Sequence, residues 1–231
     1  MKAVIVMLSL QHPYIRVASG VVPDYGGNQL TSSSAMVGKC GCGIIAATDT
    51  LLYLSRHHFC RGIPLFRDMW EDAPIPAERY DACIRDMRRA CFPLIPYARI
   101  NGLMLMAGMQ RFFLKYAMPY RAYWRLGQRE LWPRIEGMLR ADIPVIMSVG
   151  PNFPLLWGDK RACFYTRGPD GRFIPAAGAK AHYFTVTGMD ESWLQISSWG
   201  RLYYLNRREY EDYVSAHSIG FVNNILEITG A

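Results

Sequence analysis

The hydrophobic periodicity of this chain changes from that of helices to that of strands at about residue 142. Before that point, apolar residues recur at helical spacing in four segments, at 43–56, 78–90, 102–116 and 131–141. After it, apolar runs separated by turn residues predict strands at 143–150, 182–189, 193–199, 201–206 and 220–228, with one helix at 207–217. A helical half followed by antiparallel strands predicts an α+β fold.

The chain has no long linker and no internal repeat, so we expect one domain over residues 1–231. Its helical part covers about 27–141, its sheet part covers about 143–231, and residues 1–11 are expected to add a strand. The alternative for residues 3–10 is a short signal peptide, although no small-residue cleavage site ends it. The turn-rich stretch 14–41 is predicted to be a loop.

The composition favours a globular protein and restricts its partners. Hydrophobic residues make up 51% of the 231 residues and no apolar run reaches the ~20 residues of a membrane span. The net charge of +7 arises from Lys and Arg residues spread along the chain among acids, which indicates solvated helix faces. No nucleic-acid motif is present, so a nucleic-acid partner is not expected.

The six cysteines are scattered through a chain that is too large to need disulfides for stability. We therefore expect them to be reduced and the protein to be cytoplasmic, with a secreted disulfide protein as the alternative.

The sequence GKCGCG places Cys42 where the first helical pattern begins. A cysteine in the first turn of a helix lies at the positive end of the helix dipole, which favours the thiolate and makes it a candidate nucleophile. Gly41 and Gly43 flank it and allow a sharp turn and a close approach of substrate. Cys40 is expected on the preceding loop, where the dipole acts less. The alternative is that Cys42 is simply a buried neighbour of the helix cap.

His182 opens the predicted strand HYFTVTGM and is the candidate base. With Asp190 and Glu191 at the centre of the next turn, His182 faces Trp199 and has Ser197 as its diagonal neighbour. A hydroxyl in that place would orient the imidazole, and a register one residue different would bring Ser198 instead. On its own, His182 would be read as a structural histidine.

The order of GCGIIAATDTLLYL, PVIMSVG and AHYFTVTGMDESWLQISSWG resembles that of papain-like cysteine peptidases, in particular the bacteriocin-leader (double-glycine) peptidase branch. The resemblance implies a helix that starts at the nucleophilic cysteine and packs against a barrel-like antiparallel sheet. It also implies that Ser197, in Ser-Ser-Trp-Gly, occupies the position of the family's Asn or Asp. Trp199, like Gly41 and Gly43, is then a candidate for the substrate cleft.

The same resemblance implies an oxyanion hole formed by a glutamine side chain and the backbone N–H of the nucleophile. Gln29 is the candidate, although it precedes Cys42 by more residues than the family's glutamine does; the alternative is an ordinary turn residue.

A zinc site formed by Cys40, Cys42, His57, His58 and Cys60 is disfavoured, because the intervening helix would separate its two halves by ~20 Å. No cofactor is expected.

The sequence therefore predicts a thiol hydrolase, a cysteine peptidase or amidase, acting on a peptide or protein substrate with Cys42, His182 and Ser197. The alternatives are a catalytically inactive papain-like fold that serves as a binding module and an acyl transferase of the transglutaminase type.

Overall fold

A computed structural model describes residues 7–59, 62–92 and 100–230 of the chain. Within these residues the α-helices are α1 (Ala35–Cys40), α2 (Cys42–Leu54), α3 (Ala77–Ala90), α4 (Gly102–Lys115), α5 (Leu131–Arg140) and α6 (Arg207–His217). The strands are β1 (Leu8–Ser9), β2 (Arg16–Ala18), β3 (Asp24–Tyr25), β4 (Ile75–Pro76), β5 (Tyr120–Trp124), β6 (Val145–Val149), β7 (Ala162–Arg167), β8 (Phe173–Ala179), β9 (His182–Met189), β10 (Trp193–Ser198), β11 (Arg201–Asn206) and β12 (Ile225–Gly230).

A large antiparallel sheet forms most of the C-terminal part of the molecule. Its strands follow the order β5-β12-β6-β9-β10-β11-β7-β8, and β1 adds to β9. The expectation of an α+β fold is confirmed, but the expected barrel-like sheet is wrong. Among the described strands, β5 and β8 end the sheet without pairing to each other, so it stays open. A second, small sheet has the order β3-β2-β4.

The helix α2 lies in the core, and each of its residues from Cys42 to Leu54 is buried. It packs against β9 and continues into a π-helical turn at Ser55–Phe59. Complete burial explains why its apolar residues do not form a single stripe. The packing brings the first turn of α2 close to the start of β9.

Several elements differ from the sequence-based expectation. The predicted loop at 14–41 contains α1, and the strands β5, β7 and β8 were not predicted. β8 is a largely exposed edge strand, so its residues do not show clear apolar alternation. The final strand begins at Ile225 rather than at 220, because the buried amides of Asn223 and Asn224 bond to turn carbonyls just before it. Residues 1–6 of the expected first strand lie outside the described part of the chain.

None of the described helices is both long and apolar enough to cross a membrane. The cysteines within the described residues, Cys40, Cys42, Cys83, Cys91 and Cys163, are all free thiols. Cys60 lies outside the described residues.

The buried carboxylate of Asp49, on α2, holds the segment that carries Gln29. Asp49 accepts hydrogen bonds from the Gly27 backbone N–H at 2.9 Å, from Tyr80 Oη at 2.5 Å and from Tyr14 Oη at 3.4 Å. A side chain at Gly27 would place a Cβ only 2.0 Å from Tyr80 Oη. Glycine is therefore required for this segment to lie against α2 and α3.

Burial raises the pKa of Asp49 from its usual 3.8 to about 6, against the effect of these hydrogen bonds. The folded protein therefore holds this proton more tightly than the unfolded chain does. As the pH rises through this range the folded state must ionise a desolvated carboxyl, so stability is lost between about pH 4 and pH 6.

We expect Asp49→Asn to remove this contribution. The free energy of unfolding of the wild type, minus that of Asp49→Asn, should fall by roughly 2 kcal/mol between pH 4 and pH 7. Denaturant titrations of both proteins at each pH measure this difference. The contributions of the other carboxylates to the free energy of unfolding are the same in both proteins and cancel. A difference that stays constant with pH would contradict the assignment.

Candidate active site

Cys42 is the first residue of α2, as the sequence predicts. α1 ends at Cys40, and Gly41 alone separates the two helices. A Cβ at Gly41 would lie 2.4 Å from the Val37 carbonyl oxygen, so glycine is needed at this junction. No side chain caps the N-terminus of α2, and the positive end of the helix dipole there favours a negative charge on the Cys42 sulfur.

His182 is the first residue of β9 and pairs with Val149 of β6. Its side chain is held between two neighbours. The ring of Trp199 stacks on the imidazole, with centroids 4.3 Å apart and planes inclined by 18°. His182 Nε2 lies 2.8 Å from Ser198 Oγ, within a buried hydrogen bond. The imidazole therefore has a defined orientation.

The hydrogen bond to His182 is made by Ser198 and not by Ser197, which corrects the expected register. Ser197 Oγ donates instead to the Tyr25 backbone carbonyl at 2.7 Å. This bond attaches β10 to the Gly26–Gly27 segment. At Gly26, where φ is +79°, a Cβ would lie 2.3 Å from Ser197 Oγ.

The register differs because the turn and the strand each depart from the ideal hairpin. Asp190 Oδ1 accepts from the N–H groups of Ser192 and Trp193, so the turn is centred one residue later than expected. A bulge then leaves Thr187 unpaired, because Gly188 pairs with Gln195 while Val186 pairs with Ile196. Together these changes make Ser198 the diagonal neighbour of His182. The sequence signal for the later turn was Asp190, because an aspartate side chain can accept hydrogen bonds from the backbone N–H groups that follow it.

The turn from β10 to β11 brings Trp199 over the histidine. Trp199 and Gly200 both have positive φ, +49° and +72°, as a two-residue turn of type I′ requires. Left-handed backbone is unfavourable for tryptophan, and the stacked contact with His182 offsets part of that cost.

Cys42 and His182 line the same cavities, and the larger one is an apolar cleft of about 300 Å³. Both residues are largely buried, with 8% and 7% of their surface exposed. Gly43, Trp124, Val149 and Tyr183 also line the apolar cleft. Gly43 lies close to Tyr183, whereas Gly41 is packed against Val37 and does not line the apolar cleft.

A second, polar groove of about 270 Å³ reaches the same two residues from another side. Gln29 and Trp199 line it, together with Lys39, Arg161 and Lys180. The three cations were not predicted as part of a site, because they come from α1, the residue before β7 and the β8–β9 turn, which are distant in sequence. Their charge makes this side of the site favourable for an anionic group.

Gln29 begins a 3₁₀ turn, Gln29–Thr31, beside Cys42. Its Nε2 donates to the Gly38 carbonyl at 3.1 Å. An amide nitrogen carries two hydrogens, so this bond fixes the side chain and leaves the nitrogen a second donor. Despite the long spacing in the sequence, Gln29 therefore lies with Cys42 and His182 around one pocket.

The remaining cysteines differ in environment. Burial raises the pKa of the Cys83 thiol to about 12 and also raises that of Cys91. Cys40 lines the apolar cleft, but it ends α1 and has no helix N-terminus of its own. His57 and His58, from the disfavoured zinc set, lie in the π-helical turn at the opposite end of α2 from Cys42.

Comparison with other proteins adds no identification: the sequence matches no family model and no curated protein, and the fold matches no solved structure.

We expect iodoacetamide to modify Cys42 first when the folded protein is labelled briefly near pH 6. An ordinary thiol, with a pKa of about 8.5, is almost entirely protonated there, whereas a helix N-terminus and a nearby imidazole favour the thiolate. Peptide mapping by mass spectrometry measures the modification of each cysteine.

Cys83 serves as the internal control, since its raised pKa should leave it unmodified. The variant His182→Ala should slow the modification of Cys42. If Cys40 or Cys163 reacts faster than Cys42 at this pH, Cys42 is not the activated thiol.

Proposed function

We propose that this chain is a papain-like thiol hydrolase that cleaves a peptide or amide bond. The observation that carries the proposal is that Cys42, at the start of α2, lines the same cavity as a histidine held by Ser198 and Trp199. A nucleophile, a base and a group that orients the base are the requirements of covalent acyl transfer to water.

In the proposed mechanism, Cys42 Sγ attacks the carbonyl carbon of the scissile bond. His182 Nε2–H donates to Ser198 Oγ, and Nδ1 takes the thiol proton. The same nitrogen then delivers the proton to the leaving amine, and a thioester remains on Cys42. A water molecule, deprotonated by His182, hydrolyses the thioester and regenerates the thiol.

Two donors would stabilise the oxyanion of the tetrahedral intermediate. One is the backbone N–H of Cys42 in the first turn of α2, and the other is the second hydrogen of Gln29 Nε2. The Gly38 carbonyl holds the Gln29 amide before substrate arrives, so little reorganisation is needed during the reaction.

Ser198 is a weaker partner for His182 than a carboxylate. A neutral hydroxyl orients the imidazole, but it has no negative charge to stabilise the imidazolium that forms during the reaction. The Trp199 stack supplies a second constraint on the ring and shields the hydrogen bond from water. The neutral partner is also what favours the alternative function, a binding module that keeps the fold without turnover.

We expect Ser198→Ala to lower kcat by roughly tenfold with little change in KM, because it removes an orienting hydrogen bond worth about 1 kcal/mol or slightly more. Hydrolysis of a broad fluorogenic peptide library measures the effect. If Ser198 acts through His182, the pH dependence of kcat should also shift in Ser198→Ala.

Ser197→Ala is the matched control, since Ser197 is adjacent and buried but bonds to the Tyr25 carbonyl. It should leave kcat within about twofold and lower stability by about 1 kcal/mol. Cys42→Ala should abolish turnover. Hydrolysis that survives Cys42→Ala rules out the mechanism, and a wild type inactive on every substrate favours the binding module.

A further inference from the structure

The segment between β6 and β7 exposes four large apolar side chains within five consecutive residues. Trp157 is 82% exposed, Leu156 65%, Leu155 54% and Phe153 47%. In the rest of the described chain, exposed large apolar residues occur singly along the sequence or two at a time, as in Val21–Val22 and in Ile219 and Phe221. Scattered apolar side chains are normal on a protein surface, but a contiguous group of this kind marks an interaction site. We call residues 153–157 the apolar tip.

The apolar tip stands on a closed, hydrogen-bonded base. The Asn152 side chain accepts from the Lys160 N–H and donates to the Lys160 carbonyl, both at 3.1 Å, which joins the two ends of the loop. The Gly158 N–H bonds to the Leu155 carbonyl at 2.8 Å, and the Phe153 N–H bonds to the His217 carbonyl at 2.9 Å. These internal bonds satisfy backbone groups that would otherwise need water.

Cations surround the base of the loop. Lys160 and Arg161 follow the apolar tip in sequence, and Lys180 Nζ donates to the Gly158 carbonyl at 2.7 Å. Asp159 pairs with Arg161 and with Lys180, so one carboxylate balances only part of this charge. Lys39 adds a further cation in the polar groove that Arg161 and Lys180 line.

We propose that the apolar tip inserts into the interface of an anionic lipid bilayer. Tryptophan and leucine are the side chains that favour the boundary between headgroups and acyl chains, and lysine and arginine beside them attract anionic headgroups. Hydrogen bonds hold the base of the tip, so the tip inserts without first having to fold. The proposed association is that of a peripheral membrane protein, which lies on the bilayer without spanning it.

The position of the loop gives docking a structural consequence. Pro151, just before the apolar tip, lines the apolar cleft together with Ala181 and Phe221. Phe221 is itself 38% exposed, so apolar surface continues at the mouth of the cleft. A bilayer that holds the tip would therefore lie beside the entrance to the site of Cys42 and His182.

The test is sedimentation of the full chain with vesicles. We expect it to bind vesicles that contain about one third phosphatidylglycerol and to bind vesicles of phosphatidylcholine at least about fivefold more weakly. Replacing Leu155, Leu156 and Trp157 together by Ser should lower binding at least about tenfold. Raising the salt concentration should weaken binding of the wild type.

A triple variant elsewhere provides the matched control. Val21→Ser, Leu114→Ser and Leu126→Ser together remove three side chains that are 104%, 74% and 73% exposed, and binding should stay within about twofold. Circular dichroism checks that both variants fold. We expect them to fold, because the replaced side chains are exposed.

Failure of the wild type to bind anionic vesicles would overturn the proposal, as would equal binding by the Leu155, Leu156, Trp157 variant. Equal binding to vesicles with and without phosphatidylglycerol would show that the cations play no part, and it would also overturn the proposal. If light scattering instead shows a dimer that this variant abolishes, with no vesicle binding, the apolar tip is a surface between copies of the chain. None of these outcomes depends on hydrolytic activity.

Discussion

Asp49 lies two helical turns after Cys42, and its buried carboxylate accepts hydrogen bonds from three distant parts of the chain. Through the Gly27 N–H it holds the segment that carries Gln29 against the helix that carries Cys42. The same segment continues to the hairpin, because Gly27 accepts from the Gly200 N–H. One desolvated carboxylate therefore connects the proposed nucleophile, the proposed oxyanion donor and the turn that places Trp199 on His182. Its raised pKa is the energetic cost of that arrangement.

The main features of the fold were accessible from the sequence because they depend on local periodicity. The buried helix from Cys42, the helices near 78–90, 102–116 and 131–141, and the hairpins from His182 onward all appear close to their predicted positions. The edge strands β5 and β8, the strand β7 beside β8 and the open sheet were not predicted. Edge strands are partly exposed and lack a clear pattern, and sheet closure depends on contacts between strands that are far apart in sequence.

The candidate site was predictable to the level of residue type, but not to the level of hydrogen-bond register. Ser198 replaces Ser197 beside His182 because an Asp190 side-chain turn and an unpaired Thr187 shift the strands. Such a shift arises from a few local bonds and moves every later side chain to the other face. The polar groove was also missed, since Lys39, Arg161 and Lys180 come together only through tertiary packing.

If Cys42 and His182 act on one reacting group, a bifunctional alkylating reagent should bridge the two side chains. Dibromoacetone reacts first with the most nucleophilic thiol and then with any nucleophile a few ångströms away. Mass spectrometry after digestion should find the Cys42 and His182 peptides joined by the reagent's three-carbon bridge. A protein in which Cys42 reacts but the second arm joins Cys40, or stays unlinked, would contradict the account.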